Sequence, residues 1–197
     1  MNIAIVLFPD MEELDFAGPL EVFGMASKVM YKDWRVFTVA QEPVVKGAIG
    51  LSVNVDCTFD DAPHADVIVV PGGFGTRPGM DNEQLIGYIR RAGEAAQYVT
   101  SVCTGAFLLH RAGFLKGRRA TTYWAQRQQL ADLGDVEVAA ERWVHDGNVI
   151  TAAGVSAGID MALYLVGVIK GADEARRLQK AIEYDPSPPY AEAPTPA

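Results

Sequence analysis

The chemistry in this chain gathers around Cys103, in the stretch Tyr98-Val99-Thr100-Ser101-Val102-Cys103-Thr104-Gly105-Ala106. Tyr98 to Val102 reads as a buried strand. Small residues follow Cys103, and an amphipathic pattern begins at Phe107, Leu108 and Leu109. Strand, sharp turn and helix, with a thiol at the turn, is the order of a nucleophile elbow. The strand carries the side chain to the edge of a sheet, and the small neighbours let the backbone turn tightly. The helix that follows aims free N–H groups and its positive end at the thiol. That predicts a pKa below the free value of about 8.5. A lone Cys is by default an inert small hydrophobe. The strand–Cys–Thr–Gly–helix context moves the reading to chemistry, because open α/β sheets bind ligands at such strand ends.

Two other strand ends carry reactive or donating groups. Ile3 to Phe8 is a continuous apolar run, as in a strand covered on both faces, and Pro9 and Asp10 close it. Asp15 follows within Glu12-Glu13-Leu14-Asp15-Phe16-Ala17-Gly18-Pro19. Helix capping is the structural alternative for Asp15. Pro19 suits a first helical turn, which Leu20, Val22, Phe23 and Met25 continue. Glu12, Glu13 and Glu21 are expected to face water. Asp66 to Val70 is a further central strand that runs into Pro71-Gly72-Gly73-Phe74-Gly75. A glycine-rich turn there presents backbone N–H groups. It lacks the third glycine of a dinucleotide fingerprint, and no P-loop is present. The small-residue turn Gly154-Val155-Ser156-Ala157-Gly158 is placed to line the same crevice. A thiol, an acid and backbone donors together form a set for covalent addition to an electrophilic carbon. His110 lies about two helical turns, roughly 10 Å, beyond Cys103 and cannot reach the thiol.

The elements that must position these groups alternate. Trp34 to Ala40 is a strand, and Val44-Val45 with Leu51 to Val55 reads as a hairpin around Lys46 to Gly50. Cys57 is structural. Asp81 caps a helix running to about Ala96. The helix after Cys103 ends at Gly113. Arg118 to Thr122 is a short strand, and Tyr123-Trp124 lead into a helix ending near Leu133. Val136 to Val138, Trp143 to His145 and Val149 to Thr151 are short strands, and Asp146-Gly147-Asn148 is a turn. Helices follow over Ile159 to Ile169 and Ala172 to Glu183. This alternation predicts an α/β fold: a mostly parallel open sheet with helices on both faces, flavodoxin-like. Residues 1–184 are expected to form a single domain and 185–197 a proline-rich tail.

Composition narrows the function classes. A chain of 197 residues, 49% of them hydrophobic, buries a core without disulfide staples. Two cysteines and three scattered histidines give neither a disulfide framework nor metal-ligand spacing. A reducing cytosol is the natural compartment. The formal net charge of −8 disfavours nucleic acid as a partner. Lys116 to Arg119, the main basic cluster, reads as a solvated turn. Ile3 to Phe8 is too short for a signal peptide and has no basic segment before it. No run approaches the ~18 apolar residues that span a membrane. A soluble, cytoplasmic protein is expected.

The chain resembles the DJ-1/PfpI superfamily, with the class I glutamine-amidotransferase-like fold. The resemblance covers about residues 1–184. It rests on the acid after the first strand, Pro71-Gly72-Gly73, and the elbow Ser101-Val102-Cys103-Thr104-Gly105. Leu14-Asp15, Ala120-Thr121-Thr122-Tyr123-Trp124, Ala157-Gly158-Ile159-Asp160 and Glu183-Tyr184 are similar to the isocyanide hydratase branch. The resemblance implies a cofactor-free, metal-free homodimer that hydrates a small-molecule isocyanide to an N-substituted formamide. It implies that Cys103 attacks the isocyanide carbon to give a thioimidate, and that Asp15 is the general acid and base. Thr104 would give its backbone N–H and hydroxyl, and Gly73 a second backbone N–H. Gly72, Gly154, Val155 and Tyr123 would border the substrate. The chain has Tyr123 where several relatives carry His, and Thr104 where Cys-His enzymes carry His. Two alternatives stay open within the superfamily. One is a glyoxalase-like hydratase of reactive carbonyls. The other is a non-enzymatic thiol or redox sensor, or a ligand-binding domain like that of AraC-type regulators.

Overall fold

The computed structural model describes residues 1–187. β1 (Asn2–Val6) leads into α1 (Glu13–Met25), which widens into a π-helical turn over Ala26–Met30. β2 (Arg35–Ala40) precedes the hairpin of β3 (Val44–Lys46) and β4 (Ser52–Asn54), and then β5 (Cys57–Thr58). β6 (Val67–Val70) is followed by α2 (Thr76–Gly79) and α3 (Glu83–Ala95). The elbow joins β7 (Tyr98–Val102) to α4 (Gly105–Ala112). β8 (Arg118–Ala120), a 3₁₀ turn at Trp124–Gln126, α5 (Arg127–Asp132) and β9 (Val136–Val138) come next. β10 (Trp143–Asp146), β11 (Val149–Ala152), α6 (Ala157–Lys170) and α7 (Ala172–Ala181) complete the order.

Seven strands form the main sheet, in the order β10-β11-β7-β6-β1-β2-β5. All its pairings are parallel except β10 with β11. The central strands are apolar throughout because both faces are covered: Ile3 to Val6 and Val67 to Val70 have no exposed surface. The chain leaves β1 towards β2 and leaves β6 towards β7, so the strand order reverses between β1 and β6. The crevice beyond their carboxyl ends is where such sheets take ligands. Asp15 follows β1, Gly72 and Gly73 follow β6, and Cys103 follows β7. Among the described residues no helix is long and apolar enough to cross a membrane.

Several local expectations change. α1 begins at Glu13, so Pro19 lies inside the helix rather than in its first turn. Proline has no N–H for the carbonyl four residues back, so the break falls on Asp15's own carbonyl. Glu13 is buried: its Oε1 accepts from the N–H groups of Ile49 at 2.9 Å and Leu51 at 3.3 Å, pinning the hairpin tip over α1. Asn82, not Asp81, caps α3, with its side chain accepting from Gln84 N and Leu85 N at 3.1 Å each. β8 stops at Ala120, which frees Thr121 and Thr122 for the site. α6 starts two residues earlier than expected, and α7 ends at Ala181 rather than Glu183. Residues 188–197 of the expected tail lie outside the described residues.

Candidate active site

Cys103 occupies the turn itself, with φ +56°. A non-glycine residue in this left-handed region costs about 1–2 kcal/mol, so its surroundings must hold it there. The Cys103 N–H donates to Ala153 O at 2.9 Å and Ala152 O at 3.2 Å. The Cys103 carbonyl accepts from the buried Thr122 hydroxyl at 2.7 Å. Thr121 N in turn donates to Thr151 Oγ1 at 2.8 Å, fixing this segment against β11. The Thr-Thr pair therefore acts on the backbone of Cys103.

Asp15 is fully buried in the first turn of α1. Its Oδ2 accepts from Gly72 N at 2.8 Å, while Oδ1 has no hydrogen-bond partner. The Cys103 thiol and the Val155 N–H also act on this carboxyl. Only glycine fits at 72: a Cβ there would lie 2.5 Å from Thr104 N and 2.9 Å from Asp15 Oδ2. Gly73 N donates to Thr104 Oγ1 at 2.9 Å, and Thr76 Oγ1 lies 3.2 Å from that same oxygen. The Thr104 hydroxyl thus ties the elbow to the loop after β6. The Gly73 N–H, expected as a second backbone donor of the site, is engaged in this tie. The N–H groups of Thr104 and Val155 act on the Cys103 thiol and favour its ionised form. Val155 holds φ +45°, a strained value for a β-branched residue.

Burial dominates the electrostatics. It pushes the Asp15 carboxyl up to about 7, aided by the Glu12 anion and opposed by the Gly72, Cys103 and Val155 hydrogen bonds. Burial and the Asp15 charge push the Cys103 thiol up to about 12, against the N–H groups of Thr104 and Val155. The depressed thiol pKa expected from the helix start is therefore reversed. Desolvation and a neighbouring acid outweigh two backbone donors. As a pair, Asp15 and Cys103 therefore hold two protons below about 7 and one above it.

The thiol opens onto a cleft of about 220 Å³ lined by Glu12, Gly73, Phe74, Arg77, Cys103, Thr104, Tyr123, Gln126 and Val155. Gly72 and Gly154, expected to border the substrate, and Asp15, expected as the general acid and base, do not line it. Asp15 sits behind the cleft wall, next to the thiol. Gly154 sits beneath the Tyr123 ring, where a Cβ would lie 2.5 Å from Cδ2. Glu12, Phe74, Arg77 and Gln126 were not singled out as site residues in the sequence, since their types carry no motif. A larger groove of about 800 Å³, between α1, α6 and the segment after α7, contains neither Cys103 nor Asp15. Size is the wrong guide here, since the reactive groups face the smaller cleft. No histidine lines that cleft: His110 contacts Gly134 O at 3.0 Å, and His145 lies 3.0 Å from both Tyr164 Oη and Gly147 O. Among the described residues no three His, Cys, Asp or Glu side chains converge as metal ligands would.

Known proteins share this arrangement of chain. The chain is 42% identical over 191 residues to the isonitrile hydratase of Pseudomonas putida, covering 96% of this chain and 81% of that protein. Among solved structures, a ThiJ/PfpI family protein from Pseudomonas syringae superposes with a TM-score of 0.89 at 35% identity. That match covers 96% of this chain and 77% of the other. Drosophila melanogaster DJ-1beta shares the fold, with a TM-score of 0.79 at 20% identity over 92% of this chain and 97% of its own. The sequence profile described as the DJ-1/PfpI family matches residues 1–167, and the chain belongs to that family.

Proposed function

We propose that this protein is an enzyme that hydrates isocyanides, converting R–N≡C and water into an N-substituted formamide without a cofactor. The observation that carries the reading is the buried Asp15–Cys103 pair, with the Thr104 and Val155 N–H groups at the thiol and no histidine in the cleft. The 42% identity to the Pseudomonas putida isonitrile hydratase supports it. A Cys-His hydrolase needs an imidazole to carry its proton, and here a carboxyl is in that place.

The pair's single proton organises the chemistry. Cys103 Sγ bonds to the terminal carbon of the isocyanide, and the pair's proton, held between Asp15 and the thiol, passes to the same carbon. The product is a thioimidate, R–N=CH–S–Cys103, and Asp15 is left ionised. Water then adds to the C=N carbon. One water proton goes to nitrogen by way of Asp15, giving a tetrahedral adduct. When the C–S bond breaks, the remaining hydroxyl proton returns to the pair and the formamide leaves. The backbone donors of Thr104 and Val155 hold the negative charge on sulfur before attack and after release. General acid–base help of this kind is worth about 10²–10⁴-fold.

The test is direct. Purified wild-type protein should consume an isocyanide such as cyclohexyl isocyanide and release the matching formamide, and Cys103→Ala should not. A wild-type protein with no turnover would overturn the reading. The same reading implies a homodimer, which sedimentation of the full chain would show as twice 21.3 kDa.

A further inference from the structure

The carboxylate that borders the cleft is Glu12, not Asp15. Its backbone is fixed: the Glu12 N–H donates to Gly72 O at 2.9 Å, and Met11 bridges to Gly73. Its side chain is half-buried and, among the described residues, makes no hydrogen bond or ion pair. Glu12 is near enough for its charge to act on Asp15, next to the thiol. The cleft's cation, Arg77, is exposed, and its Nη2 donates to Gln126 Oε1 at 3.1 Å. Among the described residues, the charges that act most on Asp15 and Cys103 are those of Glu12 and of Asp15 itself, and no cation ranks beside them. The charge nearest the reacting atoms is therefore acidic, while the Arg77 cation lies on the exposed side of the cleft, held by Gln126; burial magnifies the acidic field at the thiol.

We propose that Glu12 is a specificity-determining residue that sets the charge class of substrate. The cleft takes molecules whose substituent beside the reacting carbon is neutral or cationic, and it turns away those carrying an anion there. For isocyanides this rests on the function proposed above. As a property of the cleft it can be read on Cys103 alone.

The experiment uses three thiol-directed methanethiosulfonates on a Cys57→Ala background, where Cys103 is the remaining thiol. Their transferred groups are aminoethylthio (cationic), methylthio (neutral) and sulfonatoethylthio (anionic). In each case the Cys103 sulfur forms a disulfide with the transferred group, methanesulfinate leaves, and the thiol proton goes to solvent. The expected order of rates is cationic, neutral, anionic. Glu12→Gln should raise the anionic-to-neutral rate ratio at least fivefold, and Glu12→Asp should hold it near the starting value. Glu21→Gln, an exposed carboxylate on the same helix, should leave it within twofold. A Glu12→Gln ratio within twofold would overturn the proposal. So would an equal change in Glu21→Gln, or a Cys103 that reacts with none of the reagents. In parallel, formamide release is measured from isocyanides with ammonium, neutral and carboxylate substituents. Charge sorting of the reagents with no isocyanide consumed would fail the function and leave the filter standing. Turnover with no charge sorting would fail the filter alone.

Discussion

The molecule carries two thiols, one at the centre of its sheet and one at its edge. Cys57 begins the edge strand β5 and is the more exposed of the two. Its Sγ lies 3.6 Å from Thr38 O, an acceptor, and burial and the Asp56 anion raise its pKa. Only the Arg35 charge favours a thiolate there, and burial and Asp56 outweigh it. Cys103 is only 7% exposed, and its pKa is raised further. Yet it has two backbone donors, an acid that shares its proton, and a backbone held in a strained turn. Access and a low resting pKa are therefore not what sets Cys103, the proposed nucleophile, apart. What marks it is a prepared place for the charge and the proton, at the crevice where the strand order reverses.

Substitutions can break this contrast. The largest effect is expected from Cys103→Ala, which should abolish formamide release. Asp15→Asn should follow, lowering kcat by about 10²–10³-fold, because the pair then lacks its proton carrier. The same residue fixes the pH profile. Below about 7 both members of the pair are protonated, so the wild-type rate should climb as pH rises through about 7. Asp15 also has a sign for stability. Its folded pKa stands above the ordinary 3.8, so ionisation costs stability as pH rises from about 4 to about 7. Asp15→Asn should therefore leave Tm unchanged near pH 3.5 and raise it by about 5 °C at pH 8, read by thermal melts.

Thr122→Val ranks next. It removes the 2.7 Å bond that holds the Cys103 carbonyl, and kcat should fall about tenfold while the protein loses about 1–3 kcal/mol in denaturant unfolding. Cys57→Ala closes the series, with turnover within twofold of wild type. A large loss there would erase the distinction between the two thiols.

Much of this was legible in the chain because the signals are local. Unbroken apolar runs such as Ile3 to Val6 mark central strands, and Val102-Cys103-Thr104-Gly105 marks a strand meeting a helix through a tight turn. What stayed hidden depends on distant partners. Glu13 is buried because the backbone of Ile49 and Leu51 folds onto it. The positive φ of Val155 has no sequence signal, since a β-branched residue adopts it only under tertiary constraint. The thiol pKa was misread because the helix-start argument counts donors one residue away and omits burial and Asp15, 88 positions earlier in the chain. Glu12 gave no signal at all, because an acid just before a helix ordinarily faces water.

The most direct measurement is rapid-quench mass mapping of wild-type protein mixed with excess isocyanide. Because the isocyanide adds whole, the account predicts a transient gain of the full substrate mass on the Cys103 peptide and none on the Cys57 peptide. Steady formamide release with no adduct on Cys103, or an adduct carried on Cys57 instead, would contradict it.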